Sequence, residues 1–259
     1  MSLEENSRLS AVLELLSGAE DTWLVDHRDS QRGNTAFLLG CGPSLNSFDF
    51  SLLKLFPVMG VNGTFLDERI NMNYHVSVSR IFFKHHIESF HGNFCERGFY
   101  PKWVADAITP GEWFSTLNTL DNNQQESLGG SPPVAFSRNP ARFVVLGGTV
   151  VFVGLQLLYW LGFERVILLG IDHDYGEREK NGHFTTADQI VGRHFRDDYY
   201  PAGGNVHIDI AGSERAYRLA KEAFESDGRE ILNASSSSNL DIFPKVTVKD
   251  SGLTIPISL

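Results

Sequence analysis

The chain has 259 residues, a formal net charge of −10, a hydrophobic share of 42% and a charged share of 21%, an ordinary globular composition with material for one large core. No run of lysines and arginines offsets the acidic balance; this excludes a general nucleic-acid binder, because phosphate neutralisation needs local positive charge. Cys41 and Cys95 stand far apart without metal-ligand spacing, so neither a disulfide framework nor a structural zinc site is indicated, and a reducing, cytoplasmic setting is expected.

Leu9, Val12, Leu13, Leu15 and Leu16 recur at helical spacing ahead of Trp23, predicting an accessory N-terminal helix within residues 1–30, packed on the outside of the domain. The opening Met-Ser-Leu-Glu-Glu-Asn lacks the basic and apolar blocks of an export signal. Residues 31–259 read as a single α/β domain. A first buried strand near 36–40 runs into Gly40-Cys41-Gly42-Pro43-Ser44. Such a turn lets the backbone approach a phosphate closely, and Ser44 either donates a hydrogen bond there or caps the short helix that follows. It matches neither the dinucleotide fingerprint nor a Walker A loop. A second strand near 57–61 ends in Asn62-Gly63, and a third near 74–78 alternates. Residues 81–135 are less regular, with several aromatics and histidines and a loop-rich portion.

Gly147-Gly148-Thr149 then opens an almost unbroken apolar helix over Val150–Leu161, too short to span a bilayer and carrying Gln156. After Gly162, a buried strand near 165–171 delivers Asp172, His173 and Asp174 at its C-terminal end, where ligands sit in open α/β sheets. An Asp in that place either caps a neighbouring helix or takes part in chemistry. Strand alternation puts Asp172 and Asp174 on one face with His173 opposite, and paired carboxylates can bind a divalent ion that bridges phosphates. Residues from about 177 to 210 read as a loop or lid rich in His, Asp and Tyr; Ser213–Glu225 has helical spacing, and a strand returns near 229–233. Buried strands alternating with helical segments predict a doubly wound, mostly parallel, Rossmann-like sheet.

Gly40-Cys-Gly-Pro-Ser-Leu45, Val61-Asn-Gly-Thr-Phe65, Gly148-Thr-Val150 and Leu161-Gly-Phe-Glu-Arg-Val-Ile-Leu-Leu-Gly-Ile-Asp172, in this order, resemble the bacterial sialyltransferases that use CMP-sialic acid. They equally resemble the broader MptE-like family typified by archaeal 6-hydroxymethylpterin diphosphokinase. His194-Phe-Arg-Asp-Asp-Tyr-Tyr200, the helix through Glu225 and Ile231-Leu-Asn-Ala-Ser with Leu240-Asp-Ile-Phe-Pro244 resemble a bacterial branch of that second family associated with surface-polysaccharide genes. The likeness covers roughly residues 35–245. It implies a GT-A-like fold of the sialyltransferase type, with Gly40, Gly42, Pro43, Ser44, Asn62, Gly148 and Thr149 holding nucleotide and phosphate. Asp174 and Tyr175 fall where the sialyltransferases place phosphate-binding tyrosines. His207 is the closest counterpart of their general base, His194 is the second choice, and Asp172 would orient donor or metal.

Three functions fit these residues. The first is a sialyltransferase-like glycosyltransferase in surface-polysaccharide synthesis, moving a sugar from a nucleotide donor, a CMP-sugar foremost, to a carbohydrate or small-molecule acceptor. It needs a base for the acceptor hydroxyl, a task that suits histidine, and His173, His194 and His207 all lie near the C-terminal rim. The second is an ATP-dependent diphosphokinase of the 6-hydroxymethylpterin type, using Asp172 and Asp174 with magnesium. The third is a non-catalytic nucleotide-binding protein. Tyr199, Tyr200, Phe195 and Trp113 either stack on a base or sugar or anchor loops. A homo-oligomer stays open, and neither nucleic acid nor a transmembrane segment is expected.

Overall fold

The computed structural model describes residues 18–90, 94–108, 111–120, 135–175, 183–186, 192–200 and 205–248, with the backbone alone at 183–186 and 205–208. Most of the expected N-terminal helix falls on residues 1–17, outside the described residues. The described chain begins with a short helix, α1 (Thr22–Asp26), whose first turn is capped by the Asp21 carboxylate accepting from the Leu24 amide at 2.8 Å. Leu24 is fully buried and its carbonyl accepts from Trp160 Nε1 at 2.6 Å, so this piece is seated in the core.

The apolar runs become β1 (Thr35–Leu39), β2 (Val58–Val61) and β3 (Met72–Val76). Next come α2 (Arg80–His86), β4 (Cys95–Pro101), α3 (Lys102–Ala105) and β5 (Phe114–Leu117). A two-residue pair, β6 (Thr119–Leu120) and β7 (Val144–Val145), precedes α4 (Val150–Leu161) and β8 (Arg165–Leu169). The chain closes with β9 (His183–Thr186), β10 (Asn205–Ile208), α5 (Ile210–Ser226) and β11 (Glu230–Asn233). Seven strands form one sheet in the order β11-β8-β1-β2-β3-β4-β5, every pairing parallel. The fold is therefore α/β and Rossmann-like.

Two expectations are corrected. The stretch read as irregular supplies β4 and β5, because Glu96, Arg97, Gly98 and Pro101 interrupt the apolar pattern of a strand that pairs on both edges. The strand expected to run to residue 171 stops at Leu169, and Gly170 turns it with φ +66°. Within the expected lid, β9 and β10 form an antiparallel hairpin that pairs Phe184 with His207.

Helix α4 packs on β1, β2 and β3 and against α5. Eleven of its twelve residues are buried, the environment that an all-round apolar helix requires. Its one polar side chain is fully satisfied: Gln156 Oε1 accepts from the amides of Ser137 and Val145, and Nε2 donates to the carbonyls of Val145 and Phe152. The buried amide thus closes the hydrogen bonding of the short β7 edge, where an unpaired backbone group would cost about 1–3 kcal/mol.

Candidate functional site

Chain order reverses at β1. Strands β2 to β5 extend to one side, and the chain returns on the other to lay β8 along β1 in the register Leu38 with Leu168 and Leu39 with Leu169. Diverging connections at such a switch point open a crevice beyond the carboxyl ends of the strands. A cleft of about 640 Å³ lies there, lined by the turns after β1, β2 and β8 and by the starts of α2, α4 and α5. A larger hollow of about 940 Å³, walled by Phe50, Leu55, Phe56 and Arg69, opens before β2 and β3, at the opposite ends of those strands.

On the sheet side the cleft is filled by the chain itself. The Gly40 amide donates to Leu169 O and the Gly42 amide to Gly170 O, both at 2.8 Å, binding the turn after β1 to the turn after β8. Asp172 then reaches into the Gly42-Pro43-Ser44 turn: one carboxylate oxygen accepts from the Ser44 amide at 2.9 Å and the other from the Ser44 hydroxyl. Pro43 starts the 3₁₀ turn Pro43–Ser47, with Gly42 as its cap. A β-carbon at Gly42 would stand 2.6 Å from the Asp172 carboxyl carbon, which is why no larger residue fits. The turn expected to cradle a phosphate therefore holds a carboxylate of the same chain, and Asp172 plays the capping role.

The turn after β2 is equally committed. Asn62 is 7% exposed and left-handed, at φ +43°, a conformation that a side-chain amide tolerates but tertiary bonds must hold. Ser77 donates to its Oδ1 at 3.0 Å, and the fully buried His75 donates Nε2–H to its carbonyl at 2.7 Å. That leaves His75 Nδ1 to accept from the Tyr100 hydroxyl at 2.9 Å, fixing a neutral tautomer. Burial pushes His75 down to about 4. Burial likewise pushes the Cys41 thiol up to about 12, beside Tyr199 and with Sγ donating to Val61 O, so Cys41 is no nucleophile.

The helical side differs. Gly147 and Gly148, at φ +59° and +77°, turn the chain into α4, where the Thr149 hydroxyl caps the helix. Thr149 Oγ1 lies 3.3 Å from the hydroxyl of the buried Tyr217, and Ser213 donates to Gly148 O at 3.3 Å, so α5 grips this turn from behind. At the start of α5 the Asp209 carboxylate accepts from the Gly212 amide at 2.7 Å. Of the helical starts on the cleft, those after β1 and before α5 carry a carboxylate cap, whereas the seven-residue α2, capped by Ser79, and the twelve-residue α4 carry neutral hydroxyls and no acidic residue in the first turn. The positive end of the α4 dipole faces the cleft with no carboxylate as its cap. Arg193, paired with Asp174, and Arg80, whose guanidinium sits 4.5 Å over the Trp103 ring, are the arginines of the wall, beside the carboxylates of Asp172, Asp174 and Asp209, and Tyr175 and Tyr200 add aromatic surface.

The expected histidines part company. His194 stacks on Tyr199 with centroids 4.0 Å apart and planes at 10°, and burial pushes it down to about 4, so it is a neutral wall of the cleft at pH 7. His207 stands on β10, and its side chain lies outside those described. His173 lines the cleft in a left-handed conformation, φ +50°, with Nε2 3.7 Å from Glu214 Oε1. Sequence reasoning missed Arg193, Asp209, Ser213 and Tyr217. The Asp209-Ile-Ala-Gly start of an amphipathic helix is a legible cap signal, whereas nothing local marks Tyr217.

The pairing of Asp172 with Asp174 is also corrected. Both lie beyond β8, where strand alternation no longer applies; Ser44 engages both oxygens of the first and Arg193 the second. Among the described residues no three His, Cys, Asp or Glu side chains gather as a metal site. These residues do not fit a resident magnesium ion, which would have to displace Arg193 and the Ser44 turn together. No described helix is long and apolar enough to cross a membrane.

Among solved structures the chain is similar to the sialyltransferase CstII from Campylobacter jejuni in complex with the substrate analogue cytidine-5'-monophosphate, at 13% identity over 86% of this chain and 88% of that one, with a TM-score of 0.47. It is also similar to the same enzyme with CMP-3FNeuAc, at 13% identity over 83% and 86% and a TM-score of 0.41. No family model matches the chain, and no curated protein matches it.

Proposed function

We propose that this protein is a glycosyltransferase that takes a nucleotide-sugar donor in the switch-point cleft and passes the sugar to a carbohydrate or small-molecule acceptor. The observation that carries the reading is the positive end of α4 at Gly148-Thr149, capped only by a neutral hydroxyl and belonging to the longer of the two hydroxyl-capped helices on the cleft, where the turn after β1 and the start of α5 already hold Asp172 and Asp209. The donor phosphate is assigned to the space over Thr149, with Arg193 on the wall of the same cleft. Asn62, held by His75 and Ser77, shapes the floor of the cleft beneath the donor. Tyr175, Tyr200 and the neutral His194, which stacks on the buried Tyr199, supply flat apolar surface for a base or sugar ring. Transfer without a resident metal then leans on the helix dipole and hydrogen-bond donors to stabilise the departing phosphate. A role in surface-polysaccharide synthesis belongs to the same proposal and is motivated by the family resemblance.

A thermal-shift panel of CMP, CMP-sialic acid, UDP-sugars, GDP-sugars and ATP, each with and without magnesium, tests this, since a ligand that binds only the folded state raises its melting temperature. A shift with a sugar nucleotide that needs no magnesium is expected. A shift confined to ATP with magnesium would move the assignment to diphosphoryl transfer, and no shift from any nucleotide would remove it.

A further inference from the structure

The left-handed His173 lines the cleft, and a carboxylate stands behind it. Its side chain is 5% exposed and lines the cleft, while Glu214, near the start of α5 and 26% exposed, faces its Nε2 at 3.7 Å. Glu214 is itself held by Arg218 one turn later, at 3.3 Å. Two aromatic rings fix the imidazole plane: Tyr175 edge-on with centroids 5.3 Å apart, and Tyr217 edge-on at 6.0 Å. A base oriented by a third group is the recurring arrangement for taking a proton from a hydroxyl, and its hydrogen bonds run long before substrate binds. His194 lacks such a carboxylate partner among the described contacts; its neighbours are the rings of Tyr199 and Tyr200.

Resting on the glycosyl-transfer reading above, we propose that His173 is the general base and Glu214 the residue that positions it. In the step, the acceptor oxygen bonds to the anomeric carbon as its proton passes to Nδ1 of His173. The carbon–oxygen bond to the donor phosphate breaks, its electron pair leaves with the nucleotide, and His173 returns the proton to solvent. Glu214 accepts from Nε2–H and stabilises the imidazolium. Among the described contacts, Glu214 and Tyr217 from α5 and Tyr175 from its own segment face His173; the neighbouring carboxylates Asp172 and Asp174 turn to Ser44 and Arg193.

The experiment has two arms on the full chain. In the first, the imidazole signals are titrated by ¹H–¹³C NMR in wild type and Glu214→Gln, with His173 assigned by its loss in His173→Asn. Asn tolerates the left-handed backbone, and melting temperatures verify folding. Removing the carboxylate is expected to lower the His173 midpoint by at least about half a unit; equal midpoints overturn the pair. In the second, hydrolysis of CMP-sialic acid, with water as acceptor, is followed from pH 5 to 9. His173→Asn is expected to lower kcat roughly 10²–10⁴-fold and to abolish the acidic limb of the profile, with the Kd for CMP within about twofold of wild type. Glu214→Gln is expected to lower kcat about tenfold and move that limb to lower pH. Full turnover in His173→Asn, or a collapse confined to His207→Asn, overturns the assignment of the base. A wild-type chain that neither binds nor hydrolyses a sugar nucleotide instead sinks glycosyl transfer and the catalytic role with it, while the NMR arm separately decides whether the pair exists.

Discussion

The Gly42-Pro43-Ser44 turn and the Gly147-Gly148-Thr149 turn carry the same signature, glycines and a hydroxyl ahead of a helical start, and both open on one cleft. The first is closed by Asp172, which takes up the amide and hydroxyl of Ser44. The second ends in a neutral Thr149 cap on a twelve-residue helix. A glycine-rich turn is an anion site only where the chain has not supplied its own anion, so the proposed site lies on the helical side of this cleft and the sheet side is held by Asp172. Substitutions on the first side should move stability, and substitutions on the second should move affinity.

The largest effect is expected from Gly42→Val, whose side chain would overlap the Asp172 carboxyl group and the Gly170 carbonyl. Overpacking of this kind costs about 3 kcal/mol, or roughly 6–12 °C in a chain of this size, measured by calorimetry. An unchanged melting temperature would break the comparison at its first term.

Asp172→Ala strips the half-buried Ser44 amide and hydroxyl of their acceptor, a loss of about 1–3 kcal/mol in urea denaturation. It also empties the turn. Inorganic phosphate should then raise the melting temperature of the variant more than that of wild type; equal shifts would mean that the turn has no anion-binding capacity to be filled.

Acid should act on the sheet side through His75. Burial holds its folded value at about 4, against 6.5 unperturbed, so the unfolded chain binds the extra proton first. The contribution is whole above pH 6.5 and is lost as pH falls through 4. Between pH 7 and pH 5 the loss is about 2 kcal/mol, read from denaturation midpoints at the two pH values. His194 shifts in the same direction and adds to it. A flat profile over that interval would show that Asn62 is not supported by a neutral His75.

The smallest change in stability is expected on the helical side. Thr149→Ala removes the α4 cap hydroxyl for about 1 kcal/mol or less, yet should weaken binding of the stabilising nucleotide about tenfold by calorimetric titration if the phosphate sits over Thr149 as proposed. A variant that loses stability and keeps affinity would invert the division between the two turns.

Much of the fold was legible along the chain, because burial writes itself into local pattern: the apolar runs became β1, β2, β8 and β11, the Gly-Gly-Thr turn became the start of α4, and the spacing after Ser213 became α5. β4 was not legible, since Glu96, Arg97, Gly98 and Pro101 mask a strand whose pairing on both edges comes from its neighbours. The roles of the site residues were less accessible still. Sequence alone placed Asp172 and Ser44 at strand ends and left open whether the carboxylate served a ligand or a cap. Only the laying of β8 beside β1 brought two residues 128 positions apart into contact and decided for the cap. Glu214 was hidden for the same reason: on α5 it reads as one more solvated charge, and its meeting with His173 depends on a helix packing across the end of the sheet, which local spacing does not encode.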